Sequence, residues 1–120
     1  MKINSYNKED VVVLEPAGKL LPGEAVGRLD EKLYALLGKG QNRVIIDLGK
    51  TSMIGSWGIS VLLRHHIKFK ESGGSLKLVN LTKNIEQIIT VTRLSLVFDV
   101  FDSLDVAVDS FSRPLPVPQK

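Results

Sequence analysis

The feature that most constrains this chain is an unbroken apolar triplet, Val44-Ile45-Ile46, set between two stretches of helical periodicity. Three β-branched residues in succession present apolar groups to both faces of a strand, so that strand must be central and covered on each side. The flanking stretches can supply the cover. Upstream, Val26, Leu29, Leu33, Leu36 and Leu37 recur at helical spacing, with Arg28, Asp30, Glu31 and Lys32 on other faces and Gly38-Lys39-Gly40 as the stop. Downstream, Ile59, Leu62, Leu63, His66 and Ile67 form a second stripe that Gly73-Gly74 ends.

The remaining segments extend the alternation. Lys2 to Tyr6 reads as a short edge strand, Asn7 to Asp10 as a polar turn, and Val11 to Leu14 as a strand bounded by Pro16. Leu76, Leu78 and Val79 give a short strand. Thr82 is placed to cap a helix carrying Ile85, Ile88 and Ile89. Val97 to Phe101 reads as a last strand, and Asp102 opens a final helix with Asp105 three positions on and Leu104, Ala107, Val108 and Phe111 as its apolar stripe. The order β-β-α-β-α-β-α-β-α predicts an α/β fold: one mixed, mostly parallel sheet with an N-terminal antiparallel hairpin and four helices. At 120 residues this is one domain. The prolines of 113–120 predict an extended tail.

Several chemistries are excluded or disfavoured. With no cysteine, disulfides, thiolate metal sites and a cysteine nucleophile are out. His65 and His66 are neighbours on a helix and point about 100° apart, so they cannot share a metal; the stripe makes His66 half-buried and His65 exposed. No Gly-x-x-x-x-Gly-Lys-Ser/Thr loop or Gly-x-Gly-x-x-Gly fingerprint occurs, and Gly55-Ser56-Trp57-Gly58 lacks the Gly-x-Ser-x-Gly spacing. Asp99, Asp102, Asp105 and Asp109 suit turns and a helix start better than acid–base work. Neither a metal nor a cofactor is expected, nor an enzyme.

The net charge of +3, from 16 basic and 13 acidic residues, does not point to nucleic acid. Lys68, Lys70, Lys77 and Lys83 are the lysines that folding could cluster, but they lack interleaved aromatics. No apolar run approaches the ~20 residues of a membrane span. The first residues do not form a signal peptide, so a cytoplasmic domain is expected.

The segment from Asp47 to Ile59 holds the most information. A buried strand runs into a loop of small residues that opens a helix, with Ser56 placed to cap it and Trp57 in its first turn. Trp57 lies off the stripe of Ile59, Leu62, Leu63 and Ile67. That predicts an exposed ring, suited to anchoring an interface.

In this order and at these spacings, several pieces resemble the STAS domain of bacterial anti-sigma factor antagonists. They are Gly18-x-Leu20, Val44-Ile45-Ile46-Asp47-Leu48, the loop ending at Gly58, Gly73-Gly74, Leu78-Val79-Asn80 and Phe98-x-x-Phe101-Asp102-Ser103. The resemblance assigns 1–112 to the STAS domain and leaves 113–120 as a proline-rich flexible tail. It implies a partner-switching protein that binds an anti-sigma factor, typically a serine kinase, and so regulates sigma-dependent transcription. In that family the kinase phosphorylates a serine in Asp-Ser-Ser/Thr-Gly at the start of the second helix. Phosphate adds roughly −2 charge to the docking face and releases the partner.

This sequence departs from that motif. Aligned on Gly58, the acceptor position is Trp57 and the aspartate position is Gly55, while Ser56 matches the preceding serine and is a weak substitute acceptor. Leu21 stands where the resemblance implies an acidic residue. The expected partner surface is Leu21, Pro22, Gly23, Gly55, Ser56, Trp57 and Gly58, extended along the helix by Ser60 and Arg64. An alternative within the resemblance is a structural subunit of a larger signalling or lipid-transport assembly. A nucleotide-binding module at the helix N-terminus is a further reading, weakened by the missing phosphate cradle. A homodimer is left open.

Overall fold

Strand β2 (Val11–Leu20) is the longest in the sheet and serves two different parallel neighbours. The computed structural model of the chain describes residues 2–112; the expected tail at 113–120 lies outside them. Along the chain, β1 (Lys2–Lys8) and β2 precede α1 (Glu24–Gly38), β3 (Arg43–Asp47), β4 (Thr51–Ile54) and α2 (Ser56–Glu71). Then follow β5 (Ser75–Val79), α3 (Lys83–Val91), β6 (Asp99–Phe101) and α4 (Leu104–Ser112).

The six-stranded sheet has the order β1-β2-β3-β5-β6, with β4 paired to β2 off this path. β1 and β2 form the antiparallel hairpin, and the other pairings are parallel. The expected mixed sheet, its hairpin and its four helices are all present. β4 is an addition to the expected order.

Pro16 does not end β2, as the sequence suggested. β2 pairs with β3 through Leu14 and with β4 from Gly18, so Pro16 falls where one neighbour has been released and the next not yet met. Within a strand the N–H and C=O of one residue point to the same edge, and the Pro16 carbonyl accepts from Thr51 Oγ1 at 2.8 Å on this side. The missing N–H therefore costs no ladder bond. A register shift at Gly18/Lys19 completes the change of partner.

The two faces of the sheet are covered unequally. Val12, Leu14, Val44, Ile46, Leu76 and Leu78 pack under α1, α2 and α3, whose contributions include Leu29, Leu33, Leu62, Phe69, Ile85 and Ile89. Val11, Val13, Ile45 and Val79 face α4 through Ala107 and Val108. Each fully buried Leu, Ile or Phe contributes about 1.5–3 kcal/mol, so the three-helix face carries most of the stability. Both faces of Val44-Ile45-Ile46 are buried, as the triplet required.

Polar side chains pin the strand ends. Asp47 Oδ1 accepts from the Gly49 amide at 2.9 Å and Oδ2 from Asn80 Nδ2 at 3.2 Å, joining the ends of β3 and β5. Thr82 stands at the start of α3, but its hydroxyl donates to the Thr51 carbonyl at 3.2 Å instead of capping the helix. Ser103 caps α4, accepting from the Val106 amide at 3.2 Å. Asp102, which the sequence places at the start of this helix with Asp105 as its capping partner, does not cap it, and Asp105 pairs with Lys8 at 2.6 Å. The last strand is shorter than Val97 to Phe101 because a 3₁₀ turn at Leu94–Leu96 holds the Val97 and Phe98 amides on the Leu94 carbonyl.

α2 is rotated from the stripe read in the sequence. Gly58, Val61, Leu62, His65, His66 and Phe69 are buried, and Ile67 is half exposed. The expected exposed His65 is wholly buried, and His66 is buried as well. The cause lies on α1. Asp30 Oδ1 sits 2.6 Å from His65 Nε2 and 2.9 Å from Arg64 Nη2, which draws that face of α2 inward, and Tyr34 packs edge-on against the imidazole at 4.6 Å.

Burial holds the His65 pKa below its ordinary value despite the neighbouring carboxylate. Burial also opposes ionisation of Asp30, but the bonds from His65 and Arg64 outweigh it and keep that carboxyl below the usual range. The pair is therefore a neutral imidazole donating Nε2–H to a carboxylate. Because the folded-state histidine pKa is depressed, its contribution is fully present above the unfolded value of about 6.5 and is lost as pH falls towards the folded value. Chemical denaturation between pH 7 and 5 should show stability falling, and the fall should be shallower in His65→Gln. Equal slopes would remove His65 as a source of the pH dependence.

Candidate functional site

The expected partner residues converge at the carboxyl end of the sheet. β2 ends at Leu20 and β4 at Ile54, side by side in parallel register. The segments leaving them, Leu21-Pro22-Gly23 and Gly55, therefore start together. The Gly55 amide donates to the Leu20 carbonyl at 3.0 Å and locks the two exits to one another. Gly23 turns the chain into α1 with φ 122°, a conformation a side chain rarely adopts.

α2 begins at Ser56, and its N-cap is Gly55 rather than Ser56. Gly55 has extended backbone, with no side-chain bond capping the helix. The first turn also lacks an acidic residue, so the positive end of α2 is uncompensated by side chains of its own first turn. A Cβ at Gly55 would lie 3.5 Å from Leu21 Cδ2, an ordinary contact. Gly58 differs: its Cβ would stand 2.8 Å from Ile54 Cγ1 and 3.1 Å from the Leu20 carbonyl oxygen. A hydrogen at this position lets α2 lie directly on the ends of β2 and β4.

That close approach settles where Trp57 goes. Gly58 faces inward, so Trp57, one residue earlier, is turned outward and is 61% exposed. Leu21 and Pro22 are exposed beside Gly55, and Ser56 is exposed next to the indole. Ser60 and Arg64 continue the outward face at helical spacing, followed by Ile67. Arg64 is committed to its ion pair with Asp30, so its place on this face is that of a clamp between α1 and α2. The patch is apolar at its centre. Its positive character comes from the uncompensated start of α2.

Met53 was missed in the sequence, because its segment read as loop. On β4 it is 42% exposed and lines a groove of about 510 Å³ with Asn84, Gln87, Ile88, Val91 and Thr92. The paired exit of Gly18-x-Leu20 and Met53-Ile54 could have been suspected from Thr51, a β-former after the Gly49-Lys50 turn. Among the described residues no three His, Asp or Glu side chains are grouped to hold a metal ion. Lys77 is buried, so the four lysines weighed for nucleic acid do not form one exposed face.

Comparison with known proteins identifies the family and the fold. The family model described as "STAS domain" matches residues 2–107. A protein of Bordetella bronchiseptica described as "Putative anti-sigma factor antagonist BtrV" is 29% identical over 89 residues, covering 74% of this chain and 77% of that one. A crystal structure from Thermotoga maritima, described in similar words, superposes with TM-score 0.87 at 23% identity and covers 92% of this chain and 95% of that one. The unphosphorylated form of the anti-sigma factor antagonist SpoIIAA superposes with TM-score 0.75 at 16% identity, covering 94% and 100%.

The two glycines at the start of α2 should respond unequally to substitution. Gly58→Ala should lose about 1–3 kcal/mol in urea unfolding through overpacking, whereas Gly55→Ser, whose Cβ would make only ordinary contact with Leu21 and Pro22 and whose hydroxyl can cap the helix, should stay within about 0.5 kcal/mol of the parent. A neutral Gly58→Ala would show that the helix is not held against Leu20 and Ile54.

Proposed function

The chain belongs to the STAS domain family, and on that premise we propose that it is an anti-sigma factor antagonist that docks on its partner through an apolar patch without a phosphorylation switch. The observation that carries this reading is Trp57, exposed at the first turn of α2 and bordered by Leu21 and Pro22. A large ring held by a rigid helix start, among small neighbours, is what an interface anchor needs. The docking surface is Leu21, Pro22, Gly23 and Gly55 to Gly58, with Ser60 further along the helix and Arg64 holding that helix in place.

The partner is an anti-sigma factor or a related serine kinase, and the consequence of binding is release of a sigma factor. The named relative and the SpoIIAA fold support the class of partner. Indole cannot accept phosphate. Ser56 carries a hydroxyl, but it lies one position before the place where the family's acceptor falls. With Gly55 and Leu21 replacing acidic residues, contact is governed by apolar burial rather than by charge. Such a surface is either permanently competent or controlled by the amount of protein present.

The test uses the anti-sigma factor that co-purifies with the native protein. Trp57→Ala should weaken that complex by at least about 30-fold, equivalent to a hot spot of about 2 kcal/mol, while leaving thermal unfolding unchanged. Incubation with the partner kinase and ATP should leave the parent's intact mass unaltered, and Trp57→Ser should gain a single phosphate. Unchanged affinity in Trp57→Ala would dispose of the anchor, and stoichiometric phosphate on Ser56 would dispose of the missing switch. Recovery of a transport complex instead of an anti-sigma factor would favour the structural-subunit alternative.

A further inference from the structure

The face of the sheet under α4 is polar at one place. Leu76 and Leu78 of β5 point to the three-helix side, so Lys77 between them points to the α4 side. There it lies in register between Ile45 of β3 and Asp99 of β6. Lys77 is only 7% exposed. Its ammonium donates to Ser110 Oγ at 2.5 Å and stands 4.1 Å from the Phe111 ring centroid and 5.4 Å from that of Phe101.

An ammonium has three protons to donate, and one hydroxyl and two ring faces satisfy it only in part. No carboxylate lies within ion-pair distance of Lys77 among the described residues. Asp99, on the neighbouring strand, attracts it from further away and takes a 3.5 Å bond from Ser75 Oγ. Burial lowers the Lys77 pKa, and Asp99 offsets that only partly. A charge held this way is costly unless something answers it.

Lys77 lines a cleft of about 590 Å³, within the range of small-molecule sites. Arg43 and Lys70 line it too, so among the described residues three cations face the single carboxylate of Asp99. The Phe101 and Phe111 rings add a flat apolar wall. Arg43 and Ser75 are the first residues of β3 and β5, which places this cleft at the amino end of the parallel strands. The Trp57 patch is at their carboxyl end, so the two sites are separate.

We propose that this cleft binds a small aromatic oxyanion, its phosphate or carboxylate group held by Lys77, Arg43 and Lys70 and its ring lying against Phe101 and Phe111. Neither group suffices alone. The anion answers the buried ammonium, and the ring covers the aromatic wall.

Titration of the full chain with phenyl phosphate, followed by amide correlation spectra, tests this directly. Saturable shifts are expected at Ser75, Lys77, Asp99 and Ser110 with a Kd below about 1 mM, and the Trp57 indole resonance should not move. Inorganic phosphate and phenol should each bind at least about tenfold more weakly, and benzoate should shift the same amides. Lys77→Met should reduce phenyl phosphate affinity at least about tenfold. Because that change touches the interior, the surface pair Arg43→Gln/Lys70→Gln serves as a second variant, with the same direction of effect expected. Absence of saturable shifts, shifts centred on another part of the molecule, equal affinity for inorganic phosphate, or full affinity in the surface double variant would each overturn the proposal.

Discussion

β2 has to leave one neighbour and reach another within four residues, between Leu14 and Gly18, and the position of the candidate docking face depends on that step. Were β2 to continue along β3, Leu20 would not lie beside Ile54, and the loop to α1 would not meet the start of α2. The change is made from unrelated parts. A proline sits where no ladder donor is required, a buried threonine bonds the proline carbonyl, and the register shifts at Gly18/Lys19. Thr51 accepts from Thr82 with its own carbonyl, so the start of α3 is tied to the same step. Two of the pieces that resemble the family, Asp47 and Asn80, bond one another and close the adjoining strand ends. The motif residues are spacers and fasteners for the exits from which α1, α2 and α3 begin.

The candidate docking face also depends on how α2 is held along its length. Gly58 admits the helix to the strand ends at its start, and Asp30 grips Arg64 and His65 two turns later. Exposed pairs such as Arg64 with Asp30 are worth little by themselves. This one shares its carboxylate with a buried imidazole, which makes it directional: rotating α2 would strip Asp30 of both donors. Trp57 is therefore presented by a helix fixed at two points. Rigidity of this kind lowers the entropy lost when a partner binds.

Fold class, the order of elements along the chain apart from β4, and the outward aim of Trp57 were legible because each follows from a local pattern. Apolar triplets, helical stripes and small residues at a helix start act within a few residues of one another. What was not legible depends on contacts between distant segments. Pro16 reads as a strand end in any local view, and only the positions of β3 and β4 make it harmless. His65 reads as surface because the residue that buries it, Asp30, belongs to another helix. Thr51-Ser52-Met53-Ile54 is too short and too mixed to declare itself without β2 alongside. Ser56 has cap chemistry, yet Gly55 takes the cap because its amide is already bound to Leu20. Lys77 reads as an ordinary strand lysine, and its burial comes from α4, more than thirty residues later in the chain.

Keeping an indole in water has a consequence for control. An exposed tryptophan returns on the order of 2–4 kcal/mol of apolar burial when a partner covers it. A phosphate on the same helix start would oppose docking by charge and bulk, and by desolvation of the added oxygens. Indole chemistry offers no counterpart to that reversal. On the proposed reading, dissociation is then set by the lifetime of an apolar contact and occupancy by the concentrations of the two proteins. On that same reading, regulation enters from outside the docking face, through synthesis or removal of the protein or through a second ligand. The charged cleft at the amino end of the strands is linked to that face by β2, β3 and β5 themselves, and coupling between them requires a ligand that distinguishes two arrangements of the sheet.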